Sequence, residues 1–234
     1  MGIVYNTKLP KSKNLLFMVD AANPKSYPGS DATGATWFDV TGNGVNFTLL
    51  NGPAYGTDDS KYIRFDGSDD YAVAAGSGDV FPTTNNITIS MWVKLLSVSA
   101  TNKQMFGKPG WSYTGFHYDV SYDSSYPSTE SGFQIYAIDN YEAGPATKAT
   151  INEWFNVTYI YNGSYQRWYW NGEIANTNAT TGTLRHTGNW YIGANNGAEP
   201  TYAKYAICAC WDQALSNEEV KQFYEAYRGR FGVY

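Results

Sequence analysis

The stretch that most constrains the fold is Trp154 to Glu173, WFNVTYIYNGSYQRWYWNGE. In its first run Phe155, Val157, Tyr159 and Tyr161 alternate with Asn156, Thr158 and Ile160. Residues two apart share one face of a strand, so this run predicts a sheet strand with one strongly apolar side. Asn162-Gly163 supplies the positive φ angles of a tight reversal. A second aromatic run, Gln166 to Trp170, stops at Asn171-Gly172, a further hairpin signal. Two aromatic strands with a turn at each end form a meander, the centre of an antiparallel all-β domain.

The rest of the chain fits around that centre. Ile87, Ile89, Met91 and Val93 alternate with Thr88, Ser90, Trp92 and Lys94, which puts the first set in the core and aims Trp92 at a concavity or a covering loop. Leu15 to Val19 predicts a short strand buried on both faces. Val45 to Leu50, Tyr62 to Phe65, Thr183 to Gly193 and Tyr202 to Asp212 predict further strands, and short ones recur between Gln104 and Ala137. One helix is expected over 216–228. Ser216 caps it, Glu219 completes a capping box, and Val220, Phe223, Tyr224 and Tyr227 form one apolar stripe. Gly229 is expected to stop it. The chain therefore divides into a polar arm over 1–14 and one domain over 15–234.

Several motifs, taken in order, carry a resemblance to a family. Val19-Asp20-Ala21, Trp37-Phe38-Asp39 before Gly42-Asn43-Gly44, and Phe65-Asp66-Gly67 before Asp70-Tyr71 come first. Ile87 to Val93, the Trp154 meander, Trp190-Tyr191-Ile192-Gly193, and Trp211 ahead of Leu215-Ser216 follow. This pattern resembles laminin G-like domains of the concanavalin A-like superfamily, from Leu15 to Tyr227. The resemblance implies a two-sheet antiparallel jelly-roll sandwich with one short C-terminal helix.

Composition bounds the partners. Aromatic residues make up 17% of the 234 and charged residues only 16%, a sheet-and-turn balance rather than a helical one. A net charge of −5 with scattered basic residues argues against nucleic acid or an anionic membrane as partner. After Met1 the chain reads GIVYNTKLPKSKN, which is not a secretory signal, so folding in a reducing cytoplasm without secretion is expected. Cys208 and Cys210 stand two apart and read as buried thiols on one strand face.

Three kinds of chemistry compete. Glycosidases share the implied fold, and a retaining one needs two carboxyl groups about 5–5.5 Å apart. The resemblance places them on one strand as Glu-x-Asp-x-x-Glu. The nearest match is Ala137-Ile138-Asp139-Asn140-Tyr141-Glu142, with alanine where the nucleophile belongs. No nucleophile motif surrounds His117 or His186, the only histidines, so the expectation is a protein that is not an enzyme. Asp66, Asp69 and Asp70 crowd a glycine turn beside Asp58-Asp59. They read either as turn formers bonded to their own backbone or as a calcium site. Trp111, Tyr113, Tyr118, Tyr122 and Tyr126, with Asp119 and Asp139, supply the aromatic faces and hydrogen-bonding groups of a carbohydrate site. The same tyrosines also suit a protein interface.

VDAANPKSYPGS and EEVKQFYEAYRGRFG resemble stand-alone laminin G-like proteins of tailed bacteriophages. That resemblance implies a non-enzymatic virion protein, a capsid decoration or a tail-associated module that self-associates or binds a capsid or tail protein, with or without a glycan-binding surface. A free or adhesin-derived lectin is the alternative. Lys8, Lys11 and Lys13 of the arm, with Arg228, Arg230 and Phe231 of the tail, are the expected attachment residues, ordering on contact with a partner.

Overall fold

The computed structural model describes residues 14–28, 35–97, 103–109, 115–119, 132–135, 142–143, 149–185 and 188–234. Short strands fill the first third: β1 (Leu15–Asp20), β2 (Thr36–Trp37), β3 (Phe47–Leu50), β4 (Ala54–Gly56), β5 (Tyr62–Asp66) and β6 (Tyr71–Ala74). The middle holds β7 (Ile87–Leu95), β8 (Lys103–Gly107), β9 (Gly115–Asp119), β10 (Gly132–Ile135) and β11 (Glu142–Ala143). The last strands are β12 (Trp154–Tyr161), β13 (Tyr165–Trp170), β14 (Glu173–Ala179), β15 (Trp190–Ile192) and β16 (Tyr202–Trp211). The helix α1 (Asn217–Tyr227) and a 3-10 turn over Arg228–Phe231 follow them.

Two antiparallel sheets form the expected sandwich. One runs β14-β13-β12-β7-β16-β5-β4 and the other β11-β10-β9-β8-β15-β6-β3-β2. β16 is long enough to serve two neighbours on one side: Tyr202–Tyr205 pair with β5, and Ile207–Trp211 pair with β1. Ala206 is the extra residue of a bulge there, so Tyr205 and Cys208 both face the inter-sheet core while Ala206 and Ile207 face outward.

The alternation read from the sequence is the observed packing. Phe155, Val157, Tyr159 and Tyr161 meet Ile87, Ile89, Met91 and Val93 between the sheets. Phe17 of β1 reaches across that gap to Trp190, Phe47 and Phe106 at centroid distances of 5.1, 5.5 and 6.0 Å. The opposite face of the first sheet is buried as well. Trp92, Trp154 and Ile160 lie in a second apolar cluster with Val220, Phe223 and Tyr224 of α1. Between these aromatics a polar ladder is satisfied internally: Ser90 and Thr158 hydroxyls are 2.7 Å apart, and Asn156 donates to Ser90 Oγ and the Met91 carbonyl. Both faces of β7 and β12 are covered, so all eight residues of β12 are buried.

The hairpins follow their turn residues. Asn162 Oδ1 accepts from the Ser164 and Tyr165 amides, and Gly163 takes φ +85°. Asn171 and Gly172 take φ +48° and +78°, the paired left-handed angles of a two-residue hairpin. α1 rests on that second turn, so a Cβ at Gly172 would lie 2.7 Å from the Tyr224 ring. Ser216 and Glu219 form the expected reciprocal cap.

Several expectations are corrected. Gly229 does not stop the chain, because the 3-10 turn carries on through it and ends at Gly232 with φ +66°. The strand expected over 183–193 narrows to β15. β4 forms inside the turn-rich 51–60 segment by pairing with β5, and β6 and β14 have no counterpart among the expected strands. Cys208 and Cys210 are free, buried and on one face, as read. Among the described residues no helix is long and apolar enough to cross a membrane.

Candidate functional site

Of the expected carbohydrate-binding residues, the structure places Tyr118 and Asp119 on β9, in register with Phe133 and Gly132 of β10. Glu142 lies on β11, in register with Ile135, and His117 is on β9 opposite Gln104. Trp111, Tyr113, Tyr122, Tyr126, Ala137, Asp139 and His186 lie outside the described residues. So do Lys8, Lys11 and Lys13 of the arm.

The acidic turn between β5 and β6 is built mainly on its own backbone. Asp66 Oδ1 accepts from the amides of Ser68 (2.8 Å) and Asp69 (3.3 Å), and Asp70 Oδ2 accepts from the Asp66 amide (2.9 Å). Bonding from the Ser68 amide holds the Asp66 carboxyl below its ordinary pKa, and burial pushes Asp70 up. Gly67 takes φ +76° against Tyr202, where a Cβ would lie 2.8 Å from that side chain. The carboxylates of Asp66, Asp69 and Asp70 lie within 4.8 Å of one another. Calcium takes six to eight oxygens, and two of these three carboxylates already serve the turn. Three carboxylates alone fit only part of such a shell. Asp58 and Asp59 do not join them, because they pair with Lys204 and Lys94 on the outer face of the first sheet.

The tail is spent internally, contrary to the expectation that it orders on a partner. Phe231 is 7% exposed, stacks on Trp92 at 4.3 Å and packs against Trp154 at 4.8 Å. Arg230 forms an ion pair with Asp20 at 2.6 Å and donates to Ser60 Oγ and the Lys61 carbonyl. Arg228 pairs with Glu225 one helical turn back. Trp92 therefore faces a cover made of α1 and the tail rather than a binding concavity.

A feature missed in the sequence sits at one end of the sandwich. The segment 81–85 and residues 183–184 line an open cleft of about 370 Å³. Its walls are clamped by Asn85, whose amide donates to the Gly182 carbonyl (2.6 Å) and whose carbonyl accepts from the Leu184 amide (2.9 Å). Tyr161 Oη donates to the same Gly182 carbonyl. Thr83 and Thr84 hydroxyls each donate to the Asp212 carboxylate. The root of the loop is fixed by Trp190 Nε1 to the Val80 carbonyl (2.7 Å) and by a buried lysine. Lys108 Nζ donates to the carbonyls of Ser77, Gly78 and Gly188 at 3.0, 2.9 and 2.8 Å, with the Trp190 and Phe81 rings beside it. Burial pushes the pKa of that ammonium down to about 8.

A two-sheet antiparallel sandwich with a helix strapped across one outer face defines the architecture, a fold that hosts many functions. The family comparison agrees: the laminin G-like model of the concanavalin A-like lectin/glucanases superfamily matches residues 66–221, and the chain belongs to that superfamily. No curated protein sequence matches it. Among solved structures it resembles domain 4 of an extracellular arabinanase from Geobacillus stearothermophilus in complex with arabinotriose. That match has 15% identity and a TM-score of 0.65, and covers 90% of this chain and 98% of that one. It also resembles Trypanosoma rangeli sialidase in complex with the inhibitor DANA, at 15% identity and a TM-score of 0.62. The match covers 89% of this chain but 32% of the sialidase. The receptor binding domain of a botulinum neurotoxin C/D mosaic serotype matches at 15% identity and a TM-score of 0.65, over 92% of this chain and 51% of that one. At such identities the likeness establishes the fold.

Proposed function

We propose that this protein is a non-catalytic recognition module that binds glycan and is displayed on a tailed-phage particle, as a capsid decoration or tail-associated subunit. The observation that carries the glycan reading is the match to nearly the whole of a single arabinanase domain holding arabinotriose. A sandwich of this extent, with no second domain, is enough to hold an oligosaccharide. The non-catalytic reading rests on Ala137, which stands where the implied motif needs a carboxylate nucleophile. The particle reading rests on the resemblance of VDAANPKSYPGS and EEVKQFYEAYRGRFG to phage-encoded modules. With the tail folded back onto the sandwich, the arm carrying Lys8, Lys11 and Lys13 is the remaining attachment candidate. One shallow site binds sugar weakly, and many copies on a particle recover affinity through effective concentration. Deleting residues 2–13 and measuring incorporation into purified particles tests the display: the account expects incorporation to fall. Undiminished incorporation contradicts attachment through the arm, and absence of the intact protein from particles contradicts the display itself.

A further inference from the structure

The cleft at the end of the sandwich has a lining that narrows its ligand. Its floor is closed by the packed edges of Phe81 and Leu184, 6% and 7% exposed, with half-buried Pro82 as the more open apolar surface. Its rim is hydroxylic and neutral: Thr83, Thr84 and Thr183 are exposed around it with Asn85. The hydroxyls of Thr83 and Thr84 spend their protons on Asp212, at 3.0 and 3.1 Å, and so present oxygen lone pairs outward as acceptors. Among the described residues the lining has no charged side chain of its own, and the Asp212 carboxylate bonded to Thr83 and Thr84 disfavours an anionic ligand. Small-molecule sites typically enclose about 300–1,000 Å³, with a few placed polar groups on an apolar bed. At about 370 Å³ the cleft sits at the small end of that range.

The walls are also fixed before any ligand arrives. Two segments about a hundred positions apart are locked by both ends of the Asn85 amide, with Tyr161 holding Gly182 from behind. Lys108 and Trp190 pin the segment that leads into Phe81. A preformed wall spares the ligand the ordering cost that weakens loop-built sites.

We infer that this cleft is the sugar subsite of the module, taking one or two rings of a neutral glycan. A ring C–H face rests on Pro82 above the buried Phe81 and Leu184, and sugar hydroxyls donate to the Thr83 and Thr84 oxygens. The cleft is open on one side, so a longer chain can run out of it. This assignment rests on the glycan-binding reading and places a subsite at the loops flanking β7 and β15, apart from the aromatic candidates read from the sequence.

The test measures binding of arabinotriose, maltotriose, triacetylchitotriose and 3′-sialyllactose to the full chain by titration calorimetry. Two variants are compared, Thr84→Val, which removes an acceptor, and Thr183→Trp, which fills the cleft from an exposed position. Their thermal melts are recorded alongside to confirm folding. The assignment expects at least one neutral oligosaccharide to bind and the sialylated one to bind no better. Each variant should weaken binding about tenfold or more, the loss expected when a bound hydroxyl loses its partner or the site is blocked. A neutral sugar that binds both folded variants as well as the parent overturns the cleft assignment and leaves the glycan reading standing. Failure of every probe to bind the parent overturns both.

Discussion

Lys108→Met is the most informative perturbation of this fold. The parent ammonium is wholly buried and donates to three carbonyls, from Ser77, Gly78 and Gly188, of which Ser77 also accepts from the Val80 amide. Each charge-assisted bond is worth about 1.5–3 kcal/mol, so the three together gain about 4–9 kcal/mol. Burial opposes them: lowering the pKa from 10.5 to about 8 costs about 3 kcal/mol at neutral pH, each pH unit being worth about 1.4 kcal/mol. Methionine fills the space but donates nothing, so the Gly78 and Gly188 carbonyls lose this donor while Ser77 keeps the Val80 amide. The expected net loss is about 3–5 kcal/mol, in line with removing one side of a buried charged cluster. That is a large part of a total stability of about 5–15 kcal/mol. The folded pKa lies below the ordinary lysine value, so between about pH 8 and 10.5 the unfolded chain keeps a proton that the folded chain has lost. The parent should therefore gain stability relative to the variant as pH rises through that window, by up to about 3 kcal/mol, and lose the gain as pH falls back through 8. Urea unfolding of both proteins at pH 7 and pH 10 measures this. A Met variant as stable as the parent at pH 7, or a gap that narrows at pH 10, would refute the reasoning.

Other contacts make simpler predictions. Removing residues 229–234 takes away the Phe231 ring stacked on Trp92 and the Arg230–Asp20 ion pair, and should cost about 3–5 kcal/mol in urea unfolding; a tail free in solution would cost nothing. Gly172→Ala should lose about 1–3 kcal/mol, since φ is +78° and the Tyr224 ring is 2.7 Å from the new Cβ, whereas Gly229→Ala meets open space and should be neutral or slightly stabilising. Cys208 and Cys210 are buried with pKa values pushed up by burial, so neither should react with a thiol reagent such as dithionitrobenzoate until the chain unfolds.

The parts of the fold legible in the sequence are those where burial follows a local period. The alternation of Ile87 to Val93 and of Phe155 to Tyr161 shows which side chains enter the core, and the Ser216–Glu219 box marks the helix start. β14 escapes because an edge strand reading EIANTNA is mostly exposed and has no apolar period to betray it. The tail escapes because Gly229 looks like a stop, and only the three-dimensional position of Trp92 and Trp154 shows what Phe231 packs against. The cleft was illegible for the same reason. Phe81 to Asn85 and Thr183-Leu184 are ordinary loop residues until Asn85 joins them across the chain. Lys108, in a run that reads as loop, carries no local mark of burial. The acidic turn was legible as two alternatives, and its backbone bonds fall on the turn-forming side.

The central claim, recognition without catalysis, is tested most directly by one time-resolved measurement. Proton NMR of arabinotriose and of laminarin, agarose and chitin oligomers is followed over a day with the protein at increasing concentration. The account predicts saturable broadening or shifts for at least one sugar, while its anomeric reducing-end signals keep constant intensity. New reducing ends that accumulate in proportion to protein, and vanish when Asp139 or Glu142 is replaced, would contradict it, as would spectra of every sugar that remain unchanged.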